Sequence, residues 1–192
     1  MYTAFTRWGR NFLHGTLPTE LGKLEKLQEM WMHRNDLEGP IPSEFGMMKD
    51  MADLRLHYNA ISGTIPDELY EMKQMKRLDL YDCNITGTIS PLISNLRVLQ
   101  TFRIRENFLS GTIPTEMGLN TKLESVWLHT NDLMGTMPLE VCELRGPRGL
   151  RVLDADCNPT TGTGVPMVEC MVGCCSACCD RVTGLCFREN EA

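Results

Sequence analysis

The chain has 192 residues, 42% of them hydrophobic, with 19 positive against 25 negative side chains and a net charge of −6. That length suffices for one or two domains with their own core, and the acidic balance argues against nucleic acid as a partner, which would favour a basic face. No run of about 18 apolar residues occurs, so no membrane span lies within the chain.

The first fifteen residues lack the charged-then-apolar order of a secretion signal. They enter in mid-unit, with Trp8 at the last inward strand position, then Asn11 and Gly15. Later units repeat that order. Leu27, Met30 and Met32 lead to Asn35, Gly39, Ile41 and Pro42; Met51, Leu54 and Leu56 lead to Asn59, Gly63, Ile65 and Pro66. In the next unit Met75, Leu78 and Leu80 lead to Cys83, Gly87 and Ile89, where Ser90 delays the proline to Pro91. Leu99, Phe102 and Ile104 lead to Asn107, Gly111 and Ile113; Leu123, Val126 and Leu128 lead to Asn131, Gly135 and Met137. A last set, Leu150, Leu153 and Ala155 with Asn158 and Gly162, follows three extra residues. The glycines from Gly15 to Gly135 stand 24 residues apart. A period held over six units marks a repeat architecture.

The pattern L-x-x-L-x-L-x-x-N/C-x-L-x-G-x-I-P resembles the leucine-rich repeat family, in its 24-residue plant-type class, over roughly residues 3–166. The resemblance implies an α/β repeat fold. This is a right-handed solenoid of about six to seven coils, the first incomplete, with a parallel β-sheet on the concave face and short helical or irregular turns on the convex face. Residues 1–166 form the solenoid, and 167–192 form a cysteine-rich cap and tail to which Cys142 and Cys157 contribute.

Physical reasons support each part of that unit. In the Leu-x-Leu alternation apolar side chains point in and the intervening ones point out, as in a strand. One strand cannot bury its inner face alone, and parallel stacking builds a continuous core. A ladder of Asn35, Asn59, Asn107, Asn131 and Asn158, with Cys83 as a buried free thiol, turns inward at the strand ends. A buried amide left unbonded costs about 1–3 kcal/mol, so the ladder is expected to bond loop backbones of adjacent coils. The Gly-Thr-Ile-Pro segments turn the chain, with a second short strand expected there. Leu21, Phe45, Leu69, Ile93, Met117 and Val141 then line the core, and Leu24, Met48, Met72, Leu96 and Leu144 follow three residues later, as on a helical turn. Asn120 breaks that row, so its coil is expected to pack less well.

The outward strand positions form columns across the coils: Trp31, Arg55, Asp79, Arg103, Trp127, Asp154; then His33, His57, Tyr81, Arg105, His129, Asp156; then Arg34, Tyr58, Asp82, Glu106, Thr130, Cys157. The scaffold does not require these types, and exposed Trp, Tyr and Arg are enriched in binding hot spots. They are the expected site for a protein, peptide or glycan ligand; the plain alternative is that they solvate a twisted sheet and stack on one another. The adjacent His33 and His57 raise a shared metal or a pH switch, but no third ligand follows, and aromatic packing is the expectation. Asp79 and Asp82 share a coil but point out from an open sheet, without a phosphate loop or a Ser-His-Asp arrangement. No enzyme activity, cofactor or metal is expected. The chain is read as part of a receptor-like or cell-surface protein. The alternatives are a secreted defence factor that inhibits a foreign hydrolase, and an ice- or mineral-adhering surface on the row Thr16, Thr64, Thr88, Thr112 and Thr136, which Pro40 interrupts.

Eight cysteines, Cys142, Cys157, Cys170, Cys174, Cys175, Cys178, Cys179 and Cys186, lie late in the chain. Their even number beside an odd Cys83 predicts a disulfide-stapled cap over the last coil, with connectivity left open among 105 pairings. The Cys-x-x-Cys spacings also fit zinc, but no histidine follows His129. This ending resembles secreted or surface leucine-rich repeat proteins of algae such as diatoms. Asn84-Ile85-Thr86 is an N-glycosylation sequon. Together these features predict an extracellular or cell-surface location. The mid-unit start predicts a piece of a longer protein, whose preceding part holds a signal, a membrane anchor or further coils.

Overall fold

The computed structural model describes residues 4–146, 149–157, 168–171 and 173–179, with the backbone of 186–187. The chain alternates between two sheets. The first stacks Ala4–Arg7, Leu27–Trp31, Asp53–Arg55, Arg77–Asp79, Thr101–Arg103, Ser125–Trp127, Val152–Asp156 and Ala177–Cys179 in parallel, and Cys186–Phe187 adds an antiparallel edge. Equivalent residues of successive coils face one another: Met30 pairs with Leu54, Leu54 with Leu78, Leu78 with Phe102, Phe102 with Val126 and Val126 with Leu153. This register makes a shared interior out of a repeated sequence. Each of these side chains is buried, as are the second inward residues Met32, Leu56, Leu80, Ile104, Leu128 and Ala155. Full burial of one such large apolar side chain is worth about 1.5–3 kcal/mol, which no isolated coil could collect.

The residue before each ladder position has a left-handed backbone: Arg34, Tyr58, Asp82, Glu106 and Thr130 all lie at φ of 54–59°. For a non-glycine residue this costs about 1–2 kcal/mol. The ladder holds the turn in place. The Asn59 Nδ2 donates to the Leu56 carbonyl at 2.7 Å and to the Met32 carbonyl of the preceding coil at 3.1 Å, and its Oδ1 accepts from the Leu37 N–H at 3.1 Å. Asn35, Asn107 and Asn131 repeat the arrangement. Cys83 sits in the same place as a buried free thiol, 3.7 Å from the Leu56 carbonyl. Asn158 lies outside the described residues. The turns feed the second sheet, made of His14–Thr16, Asp36–Pro40, Ala60–Gly63, Asn84–Gly87, Phe108–Gly111 and Asp132–Leu133.

On the convex side five 3₁₀ turns, Thr19–Lys23, Ser43–Met47, Asp67–Glu71, Pro91–Asn95 and Thr115–Leu119, are followed by one α-helical turn, Leu139–Cys142. Prolines before four of the 3₁₀ turns fix the extended entry to each. Phe45, Leu69, Ile93, Met117, Val141, Met48, Met72 and Leu96 are buried there, whereas Leu21 and Leu144 are partly buried and Leu24 is exposed. Asn120 is fully buried rather than displaced. Its amide donates to the Ile93 and Leu96 carbonyls at 3.0 and 2.8 Å, so the coil closes on a polar side chain by offering it acceptors. The cost remains in its Oδ1, which has no partner among the described residues.

Close contact between turns depends on Gly22, Gly46 and Gly118. A Cβ on Gly46 would lie 2.4 Å from the Glu68 backbone oxygen of the next coil. Tyr70 occupies the same position one coil later and is fully buried. Its hydroxyl faces the Ser90 backbone, short of a formed hydrogen bond, and burial pushes its pKa up. Ser90 stands where the other units carry proline, which has no N–H to turn toward a phenol. The two departures from the repeat therefore meet in space.

The end of the solenoid is covered as the cysteine count predicted. Cys142–Cys174 ties the last helical turn to the cap, Cys157–Cys178 ties strand Val152–Asp156 to strand Ala177–Cys179, and Cys170–Cys175 closes a short loop. Cys179 is also disulfide-bonded. The Cys186 side chain lies outside the described residues. Ser176 completes the edge: its N–H donates to the Leu153 carbonyl and its hydroxyl to Asp154 at 2.9 Å.

Candidate functional site

Period-two alternation places a continuous band of large polar and aromatic side chains on the outer face of the first sheet. At one end the Trp31 ring lies between two guanidiniums, Arg7 and Arg55, each 4.1 Å from its centroid. Arg55 is held in turn by Asp53, with hydrogen bonds of 2.8 and 2.6 Å. At the other end Arg103 lies 4.2 Å over Trp127, and Arg105 bridges Tyr81 at 4.4 Å and Trp127 at 5.6 Å. Arg105 also pairs with Glu106. Cation–π contacts are worth about 0.5–1 kcal/mol in the open and about 2 where desolvated; the Arg7 side chain is half exposed, whereas those of Arg55, Arg103 and Arg105 are largely covered. The band is thus a pre-ordered surface, not a set of free side chains.

Between the tryptophans His33, His57 and Tyr81 form a stack, with centroids 4.6 and 4.3 Å apart and planes within 12°. Tyr58 meets Tyr81 edge-on at 5.3 Å and carries Arg34 at 4.3 Å. Nitrogen lone pairs lie in the ring plane, so parallel imidazoles do not converge on one ion. The two histidines pack as aromatics. Burial, with His33 and Arg55 nearby, pushes the His57 pKa down to about 3, and burial beside Arg105 takes His129 to about 4. Burial also lowers the pKa of His33, reinforced by Arg55. All three are neutral at pH 7.

Asp79 departs from the expectation of an open carboxylate. It is only 2% exposed, covered by Arg77 and Arg103 at 3.6 Å each. Burial raises its pKa while Arg103 and Arg77 oppose the rise. Asp79 therefore anchors Arg77 and Arg103 from beneath the band. Asp156, at the outward end of its column, is likewise buried and accepts the Thr130 and Asn131 N–H groups at 2.6 and 2.9 Å. It replaces a coil's backbone acceptors at the solenoid's end. Arg7, Asp53 and Arg77 join the network without having been singled out in the sequence. The same alternation, continued one step toward the start of each strand, would have found the last two.

Six buried polar atoms of this band have no hydrogen-bond partner among the described residues: Trp31 Nε1, His33 Nδ1, His57 Nδ1, Asp79 Oδ1, Arg103 Nε and Trp127 Nε1. Such groups cost about 1–3 kcal/mol each and call for a reason. Most of the threonine row follows the strands of the second sheet rather than lying within it: Thr64, Thr88 and Thr112 stand one residue past their strands, and the methyls of Thr16, Thr64, Thr88 and Thr112 lie against the glycine of the next coil. In the cap the sulfurs of Cys157, Cys170 and Cys175 lie within 4.8 Å of one another, but all three are committed to disulfides.

The Leucine Rich Repeat family profile matches residues 26–48 and 74–96. Comparison with curated proteins gives no match. Among solved structures the chain is similar to a TDR receptor, with 33% identity and a TM-score of 0.72 over 73% of this chain and 24% of that one. It is similar to the Arabidopsis receptor kinase HAESA, solved with the peptide hormone IDA and the co-receptor SERK1, with 25% identity and a TM-score of 0.76 over 96% of this chain and 31% of that one. It is also similar to the plant peptide hormone receptor RGFR1 in complex with RGF2, with 29% identity and a TM-score of 0.62 over 80% of this chain and 28% of that one. The chain thus spans less than a third of the length of each. It is a leucine-rich-repeat solenoid with a disulfide-bonded, cysteine-rich C-terminal end.

Proposed function

We propose that the chain is a non-enzymatic recognition module that takes an extended peptide across the band from Trp31 to Trp127, outside the cell or at its surface. The observation that carries this reading is the set of six unpartnered polar atoms gathered on one face. A peptide backbone brings alternating carbonyls and N–H groups, and small rotations of the covering guanidiniums would let it meet the indole and imidazole nitrogens. The aromatic and arginine side chains around them are the types that dominate binding energy. Two similar structures, HAESA and RGFR1, were solved with a peptide ligand, which supports the peptide class over a glycan. Three placed disulfides and a bonded Cys179 support an oxidising compartment.

The test is a random-peptide display selection against the immobilised chain, followed by affinity measurement on variants. Selected peptides should lose about 30-fold or more in affinity on Trp127→Ala, the level of a hot-spot residue, and should be unaffected by Glu68→Ala on the convex turn. Peptides that bind the double variant Trp127→Ala, Arg103→Ala as tightly as the unaltered chain would refute the concave-face reading.

A further inference from the structure

We infer that Asn84 carries an N-linked glycan whose first sugar covers Phe108, the exposed aromatic beside it on the second sheet. This rests on the extracellular reading above. Strand alternation divides the sequon between two environments. Ile85 points into the core and is 1% exposed, while Asn84 and Thr86 both face solvent. No other Asn-x-Ser/Thr triplet in the chain qualifies, because Asn158 is followed by Pro159. The ladder asparagines could not be modified in the folded state, since their Nδ2 atoms donate to buried carbonyls. The Asn84 amide, among the described residues, has no such duty. Thr86 is fixed by a hydrogen bond from its hydroxyl to the Gly63 carbonyl at 3.2 Å.

Phe108 supplies the second, independent observation. It pairs in register with Thr86 on the neighbouring strand, while Leu109, beside it, is buried. Phe108 therefore stands on the same outward face as the sequon, diagonal to Asn84. With strands about 4.8 Å apart and residues about 3.3 Å apart along each, the diagonal is about 8 Å, within reach of a pyranose on the Asn84 amide. Phe108 is 57% exposed, an aromatic ring among outward residues of this sheet that are otherwise small or polar, such as Glu38, Ala60, Ser62, Thr86 and Ser110. The apolar face of a sugar ring would remove that surface from water. In forming the link the Asn84 Nδ2 bonds to the anomeric carbon of a lipid-pyrophosphate-linked oligosaccharide. The bond from that carbon to the pyrophosphate oxygen breaks, the amide gives up one proton, and the lipid pyrophosphate departs.

The test directs the full chain to a eukaryotic secretory route with an added leader and reads three quantities on the secreted protein. Intact mass should show one glycan, removed by N-glycanase with conversion of Asn84 to aspartate and missing from Asn84→Gln. Release of the glycan should raise binding of an apolar-surface dye, and the Phe108→Ser chain should show no such rise. A thiol count should find only Cys83 free. Asn84 unmodified on a chain with one free thiol overturns the glycan and leaves the extracellular reading standing; unmodified on a fully reduced chain, it overturns both. A glycan whose release leaves dye binding unchanged overturns the covering of Phe108.

Discussion

Cys83 and His57 show how single side chains tune a repeated scaffold. At the ladder position an asparagine accepts one backbone N–H and donates to two carbonyls, whereas the Cys83 thiol offers one weak donor, and burial pushes its pKa up to about 11. Cys83→Asn is expected to stabilise the protein by about 1–2 kcal/mol, the worth of one or two recovered buried hydrogen bonds, as read by urea denaturation. A neutral or destabilising result would mean that the coil has adapted its backbone to sulfur. His57 has the opposite character. The folded chain keeps it neutral down to about pH 3, and the unfolded chain takes up a proton near the ordinary histidine value of 6.5. Between those limits the unfolded state binds more protons, so stability is constant above that window and falls as pH drops through it. The slope reaches about 1.4 kcal/mol per pH unit for one fully differential group. His57→Gln should flatten this acid limb, whatever it does to the stability at pH 7.

The turns carry most of what distinguishes one coil from another. Gly46→Ala should cost about 1–3 kcal/mol, because the added methyl meets backbone oxygen, which cannot rotate away. Tyr70 and Ser90 should behave as a pair. In a double-mutant cycle of Tyr70→Phe with Ser90→Pro, measured by thermal unfolding, a coupling of at least about 0.5 kcal/mol is expected for groups in contact. Strict additivity would make their meeting in space incidental. The strands, the ladder and the second sheet were all legible in the sequence, because period-two burial and a 24-residue step leave marks that survive substitution. The Tyr70–Ser90 relation was not, since each looks like a separate lapse from the pattern until the coils are stacked. Asn120 was legible as a break, but not its remedy, which consists of backbone carbonyls that no sequence pattern reveals.

For the whole molecule, the sequence located the outward columns but not their state. Alternation shows which side chains leave the core; it cannot show that Arg77 and Arg103 close over Asp79, or that Trp31 is already held between two arginines. The covalent frame is testable as a unit. Under denaturant the oxidised chain should expose one thiol, from Cys83, and after reduction nine. Recognition on the concave face is tested most directly by hydroxyl-radical footprinting of the chain with and without a display-selected peptide. Trp31, Tyr58, Tyr81 and Trp127 should lose reactivity when the peptide binds, while Met47 on the convex turn and Phe108 on the second sheet react as before. Protection of Met47 or Phe108, with the four concave aromatics unchanged, would contradict the account.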